Sequence, residues 1–363
     1  MRLDRLTVQD FRNLRSATLA PAPRLTVLCG PNGQGKTNLL ESIWMLTGGK
    51  SFRGAKDAEL IRRGQPFGVV EAAFEAGGRP QTLRLTVGSR ESGRPGRRAR
   101  RNGADRGRAA SGAGTFTAVV LAPTHLRLVK GGPDGRRHFL DAALCQLYPG
   151  YLAALRRAAR ITAQKNALLK AYDITPGGEM LLDTYNEALT AAGAEVMRRR
   201  AEYLQRLAPL AAANYRDISS GAETLALRYC PCCDPDADAL AARLRAVRSA
   251  ELRAGFCLAG PHREDVEILL DGQPGKIYGS QGQQRSAVLA MKLAEATLAG
   301  EVLGEHPVML LDDVLSELDD ARQTYLLTRI EDKQTFVTTC DSAAFARTNG
   351  MLVQVLAGEV RAC

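Results

Sequence analysis

The chain has no long hydrophobic run: no apolar stretch in its 363 residues approaches the roughly 18 needed to cross a bilayer as a helix. No membrane partner is therefore expected. The first residues, Met1-Arg2-Leu3-Asp4-Arg5, alternate as a strand does and lack the apolar region of a signal peptide, so a cytoplasmic location is expected. Internal repeats and long low-complexity tracts are also missing. Eight cysteines do not make a disulfide framework in a chain this long, and Cys29 and Cys257 sit in apolar runs where the thiol acts as a small hydrophobe. Cys230, Cys232 and Cys233 lack the second pair, or the histidines at finger spacing, that a structural zinc requires.

What is present begins with charge. The net charge is +10, unevenly spread: residues 1–149 carry 25 Lys and Arg against 11 Asp and Glu, residues 150–253 carry 15 against 12, and residues 254–363 carry 9 against 16. Such a skew suggests one surface facing a polyanion. The sharpest cluster, Arg90 to Arg108, holds eight arginines and two acids, and its Asn102-Gly103 step favours a hairpin turn between short strands. It reads as a basic hairpin tip along DNA phosphates, through Arg97, Arg98, Arg100 and Arg101, or else as a solvated arginine-rich loop. Arg136 and Arg137 are either DNA contacts or packing partners of acids.

Three motifs carry the chemistry. Gly30-Pro31-Asn32-Gly33-Gln34-Gly35-Lys36-Thr37 follows an apolar, strand-like run (Leu25 to Cys29) and precedes a helical pattern to Leu46. In that setting glycines let successive N–H groups point at phosphate oxygens, and the helix N-terminus adds positive partial charge. Lys36 is expected to reach the β- and γ-phosphates of ATP and Thr37 to ligate Mg²⁺. Val308-Met309-Leu310-Leu311 reads as a buried parallel strand ending on Asp312 and Asp313. Asp312 is expected on the Mg²⁺ side, and Asp313 is placed to orient or deprotonate an attacking water.

The third motif is Ser280-Gln281-Gly282-Gln283, which opens an amphipathic helix with Val288, Met291, Leu293 and Ala294 toward a core. A hydroxyl and a glycine at a helix start form a second anion site, in a chain that already owns one. An intermolecular reading follows: in a two-fold dimer, Ser280 of one subunit touches the γ-phosphate held by Lys36 of the other. The middle of the chain is rich in Ala, Leu and Arg, with apolar positions at Leu152, Leu155, Ala159, Leu168 and Leu169. After a break at Thr175-Pro176-Gly177-Gly178 they resume at Leu181, Tyr185, Leu189 and Ala192. Two antiparallel helices with that break at the tip are expected, too short in heptads for a long coiled coil.

Taken in order, these motifs resemble the ABC-type ATPase heads of the SMC and double-strand-break-repair proteins, and more closely the RecF family. The strings that carry the closer resemblance are Asp10-Phe11-Arg12-Asn13-Leu14, Gly49-Lys50-Ser51-Phe52-Arg53, Lys130 to Asp141, Gly260 to Asp265, Tyr278 to Arg285 and Leu311 to Asp319. The resemblance implies an α/β fold, an ABC/SMC-like P-loop ATPase head with a helical insertion forming a second lobe. The head is assigned to residues 1–145 and 254–363 and the helical lobe to 146–253. It further implies an ATP-dependent homodimer that clamps DNA where duplex flanks a single-stranded gap. Such a clamp loads RecA in repair, replication restart and the SOS response, with RecR and RecO as partners. Asp313 stands where many transporter heads carry Glu, and Thr338-Thr339-Cys340-Asp341 offers no switch histidine, so the γ-phosphate sensor stays unassigned. The alternative is a nucleotide-gated ATPase subunit of another DNA-repair or transport complex.

Overall fold

The computed structural model describes residues 1–89, 92–93, 95–108, 114–340 and 350–362. Arg90, Arg94 and Asp341 of the sequence reading lie outside these residues. The chain opens with the hairpin β1 (Arg2–Phe11) and β2 (Leu14–Leu19), then β3 (Leu25–Cys29) runs into α1 (Lys36–Met45). The strands β4 (Phe67–Ala76), β5 (Arg79–Gly88), β6 (Gly96–Arg101) and β7 (Ala104–Arg108) form a meander that pairs back onto β1. The result is a six-stranded antiparallel sheet ordered β2-β1-β4-β5-β6-β7. Asn102 (φ +50°) and Gly103 (φ +79°) make the expected tight turn between β6 and β7.

Then follow β8 (Ala118–Leu121), α2 (Arg127–Lys130), α3 (Pro133–Leu147), α4 (Tyr151–Lys170), α5 (Gly178–Ile218), β9 (Leu225–Cys230) and α6 (Ala237–Ala254). The C-terminal third adds β10 (Asp265–Leu270), β11 (Gln273–Pro274), α7 (Gly275–Tyr278), α8 (Gln281–Leu303), β12 (Val308–Asp312), α9 (Asp320–Arg329), β13 (Thr335–Thr339), β14 (Met351–Leu356) and β15 (Glu359–Ala362). A second six-stranded sheet, ordered β15-β14-β3-β13-β12-β8, joins both ends of the chain and is parallel except for β15. Covered on both faces, its central strands read as continuous apolar runs. Leu28, Val120, Leu310 and Phe336 face α1 and the antiparallel sheet. Val27, Val119, Leu311 and Val337 alternate to the other side, against α3, α5 and α8.

The helical segment divides in an informative way. Ala158, Ile161, Leu189, Ala192, Met197, Leu240 and Leu244 form a separate core among α4, the first half of α5 and α6. The second half of α5, from Tyr203 to Tyr215, instead packs into the main core with α8. One helix of 41 residues thus belongs to both bodies. The apolar stripes sit one residue away from two expected positions: Ala159 is exposed and Ala158 buried, and Leu181 is exposed while Leu182 is buried. Adjacent apolar residues leave the phase of a helix ambiguous until its partner is known. Among the described residues no helix is long and apolar enough to cross a membrane.

Candidate nucleotide site and nucleic-acid face

The site lies at the carboxyl ends of β3, β13 and β12, three neighbouring parallel strands, where such sheets gather ligands. The loop from Gly30 to Gly35 turns out of β3 and ends at Lys36, the first residue of α1. Backbone freedom is required at two points. Gly30 has φ +144° and a Cβ there would stand 2.3 Å from Val355 O, while Gly35 has φ +117° and its Cβ would meet Asn13 Oδ1 at 2.8 Å. Gln34 is held by the turn between β14 and β15: its Oε1 accepts from Ala357 N at 2.7 Å and its O from Gly358 N at 3.0 Å. The C-terminal hairpin therefore braces the phosphate loop.

Lys36 is only 7% exposed, and its ammonium donates to Gly30 O at 2.5 Å and Pro31 O at 2.9 Å. Thr37 Oγ1 donates to Asp312 Oδ1 at 2.7 Å, and Thr338 Oγ1 donates to the same oxygen at 3.0 Å. Thr338 Oγ1 also accepts from Asp313 N at 2.8 Å, so one hydroxyl orders both acids. Asp313 has φ +50°, and this left-handed residue turns the chain at the strand end and leaves its carboxylate exposed. Burial pushes the Asp312 carboxyl above its ordinary range, with the Thr37 and Thr338 hydrogen bonds acting the other way. A buried carboxylate bonded to neutral hydroxyls, one of them on the phosphate loop, is a donor set that fits a hard divalent cation such as Mg²⁺.

A supporting layer surrounds α1. Arg12 donates to both oxygens of the fully buried Glu41 at 2.9 and 3.1 Å, and Ser51 donates to Glu41 as well. Asn38 Nδ2 donates to Asn13 Oδ1 at 2.8 Å, and Arg53 Nη1 donates to Asn38 Oδ1 at 2.8 Å. Two of the strings singled out in the sequence, around Arg12 and around Ser51, meet here. Sequence reasoning missed Thr338 and Cys340. Cys340 Sγ lies 3.5 Å from Lys36 Nζ and 2.9 Å from Asn32 Oδ1. The signal for Thr338 was a hydroxyl one strand over from Asp312, visible only once the register of β12 and β13 is known.

Ser280 caps α8 through a reciprocal box: its Oγ accepts from Gln283 N at 3.2 Å, and Gln283 Oε1 accepts from Ser280 N at 2.8 Å. Gln283 Nε2 donates to Glu223 Oε1 at 2.9 Å, tying the motif to the segment between α5 and β9. Ser280 and Gln281 are exposed, and the hydrogen bonds of Ser280 all lie in the first turn of α8. Among the described residues no hydrogen bond joins this motif to Lys36.

The arginine cluster separates by strand phase. Ala99 is buried, and its neighbours on the same face of β6 turn inward. Arg97 pairs with Asp57 at 3.1 Å and donates to Gly49 O, and Arg101 donates to Gln81 Oε1 at 3.1 Å. Arg98 and Arg100 point the other way and are exposed. Arg136 and Arg137 are packing partners of acids: Arg136 grips Asp265 at 2.6 and 2.9 Å, and Arg137 bonds Asp134 and Glu264 O. Cys232 and Cys233 bring their sulfurs to 4.0 Å, and among the described residues no cluster of three or more His, Cys, Asp or Glu forms.

A phosphate loop and a strand-terminal acid on one parallel sheet, with an exposed serine–glutamine–glycine helix start, define a P-loop ATPase head of the ABC/SMC type. The RecF/RecN/SMC N-terminal domain model matches residues 2–360. With the relatives below, this shows that the chain belongs to the RecF family. The DNA replication and repair protein RecF of Synechococcus sp. strain JA-3-3Ab is 40% identical over 369 residues, which cover 98% of this chain and 96% of that protein. Its counterpart in Staphylococcus aureus strain JH9 is 38% identical over 351 residues, covering 93% of each. A solved structure of the recombination mediator protein RecF with ATP in the RecFOR pathway superposes with a TM-score of 0.91 at 30% identity, covering 100% of this chain and 97% of that one. The Smc head domain of Pyrococcus furiosus, with a TM-score of 0.56 and 15% identity, shares the fold.

Proposed function

We propose that the protein is an ATP-dependent, DNA-binding recombination mediator. Two copies close over two ATP molecules, each lending the Ser280 helix start to the Lys36 loop of the other. The closed dimer clamps duplex DNA beside a single-stranded gap and promotes RecA loading, with RecR and RecO as partners. It would serve recombinational repair, replication restart and the SOS response. One observation carries this reading: Thr37 and Asp312 are joined within one chain beside Lys36, whereas Ser280 and Gln281 are exposed, and among the described residues the hydrogen bonds of Ser280 stay within its own helix turn.

In that dimer Lys36 faces the β- and γ-phosphates and the loop N–H groups cradle them. Thr37 and Asp312 hold Mg²⁺, which when bound offsets the charge of the phosphates. Asp313, exposed at the strand end, orients the attacking water. Chemistry of this kind is positioning plus electrostatics, and slow, DNA-stimulated turnover suits a switch. Arg98 and Arg100 supply the outward positive charge for DNA phosphates.

The test is molar mass by light scattering, with and without ATP, on gapped and plain duplex DNA. ATP should double the protein mass, and the gapped substrate should retain the dimer best. A monomer at saturating ATP would overturn the reading.

A further inference from the structure

The string Gly49-Lys50-Ser51-Phe52-Arg53 and the segment from Gly135 to Phe139 meet at one pocket beside the layer that supports α1. Its volume is about 310 Å³. The floor is apolar, built from Trp44, Phe52, Val120, Leu128 and Phe139. The rim is cationic: Lys50, Arg53 and Arg127 are all exposed. Among the described residues lining it the sole carboxylate is Glu295, which is buried and bonded to Lys292. Arg53 also pairs with the buried Glu41 of α1 at 3.8 Å, so the rim charge left unopposed is that of Lys50 and Arg127.

We infer that this pocket docks an acidic segment of a partner protein, with one aromatic or large aliphatic side chain seated on the apolar floor. Charge complementarity selects an acidic ligand, and the concave floor selects a peptide over duplex DNA. A phosphate backbone would meet the three rim cations but has no apolar group to bury in the cavity. The pocket also abuts α1, which contributes Trp44 to its lining. Arg53 donates to Asn38 Oδ1 at 2.8 Å, and Ser51 donates to Glu41, both on α1, so a seated peptide would press on the helix that carries Lys36 and Thr37.

The probe is a fluorescein-labelled peptide with three acidic residues beside one Phe, titrated by anisotropy into the full chain without nucleotide. This assay does not depend on ATP-driven dimerisation, so its outcome and that of the proposed function are separable. Binding is expected with a dissociation constant below about 100 μM, weakening as salt rises. The same peptide with Phe replaced by Ser, or with Lys in place of its acids, should bind at least about tenfold more weakly. The Lys50→Glu/Arg127→Glu double variant should weaken it by a similar factor. Thr124→Trp, an exposed lining position, should block the cavity without disturbing the core. No binding at all, binding indifferent to the Phe and to Thr124→Trp, or full displacement by duplex DNA with no dependence on the Phe would each overturn the inference.

Discussion

Thr37 Oγ1 donates a 2.7 Å hydrogen bond to Asp312 Oδ1 across 275 residues of sequence. The bond makes the phosphate loop and the strand-terminal acid a single unit, and Thr338, between them in the sheet, closes it from the other side. Stability and function pull against each other at this point.

Burial raises the Asp312 carboxyl above its ordinary value of 3.8, with the two hydroxyls opposing. A folded state that holds a proton more tightly than the unfolded chain gains stability that is full below the ordinary value. That gain is lost as the pH rises through the folded value. At neutral pH the carboxylate is therefore a cost. Asp312→Asn keeps an acceptor for both hydroxyls and should raise the melting temperature of the protein alone by a few degrees. The added stabilisation by ATP with Mg²⁺ should disappear. A lower melting temperature for Asp312→Asn, measured by calorimetry without nucleotide, would contradict this account.

Gly30 and Gly33 share a loop but not a fate. Gly30→Ala drives a Cβ to 2.3 Å from Val355 O at φ +144°, and should cost about 3 kcal/mol or more. Gly33, at φ +79° with nothing within 4 Å, should cost about 1 kcal/mol as alanine. Urea midpoints of the two variants measure the difference, and equal losses would show that the Val355 contact is immaterial.

Ser280→Arg should retain nucleotide binding by the single subunit, because the hydrogen bonds of Ser280 lie in its own helix turn and not on the loop of its own chain. It should abolish the ATP-dependent doubling of mass. A normal dimer of this variant by light scattering would remove Ser280 from the subunit junction.

Arg98→Glu with Arg100→Glu should weaken DNA binding and reduce the slope of log affinity against log salt by about 2. Arg97→Glu should act on the fold instead, since it breaks the pair with Asp57 and the bond to Gly49 O, at about 1–2 kcal/mol. Filter binding over a salt series, beside thermal melts, separates the two classes. A uniform loss of DNA affinity across all three arginines would show that strand phase does not sort them.

Much of the site was legible because its signals are local. The glycines before Lys36, the apolar run closing on Asp312, the Ser280–Gln283 cap and the Asn102-Gly103 turn each depend on neighbours a few residues away. Other features were not. In β6 the arginine run hides its phase, because Ala99 is the lone apolar marker. Ala158-Ala159 and Leu181-Leu182 place two apolar residues side by side, so either can face the core. Arg136 offered no sign of choosing Asp265, a residue of a strand far downstream. Thr338 became part of the site only through its register with Asp312.

By itself the sequence determined which short segments form the glycine-rich loop, end a buried strand or start a helix, because hydrogen-bonding geometry and backbone freedom act over single turns. The tertiary structure alone decided which arginines face solvent, which hydroxyl joins the two acids, and that α5 serves two cores at once. Those outcomes depend on strand register and helix packing, which are set by contacts between residues on different elements, tens of positions apart.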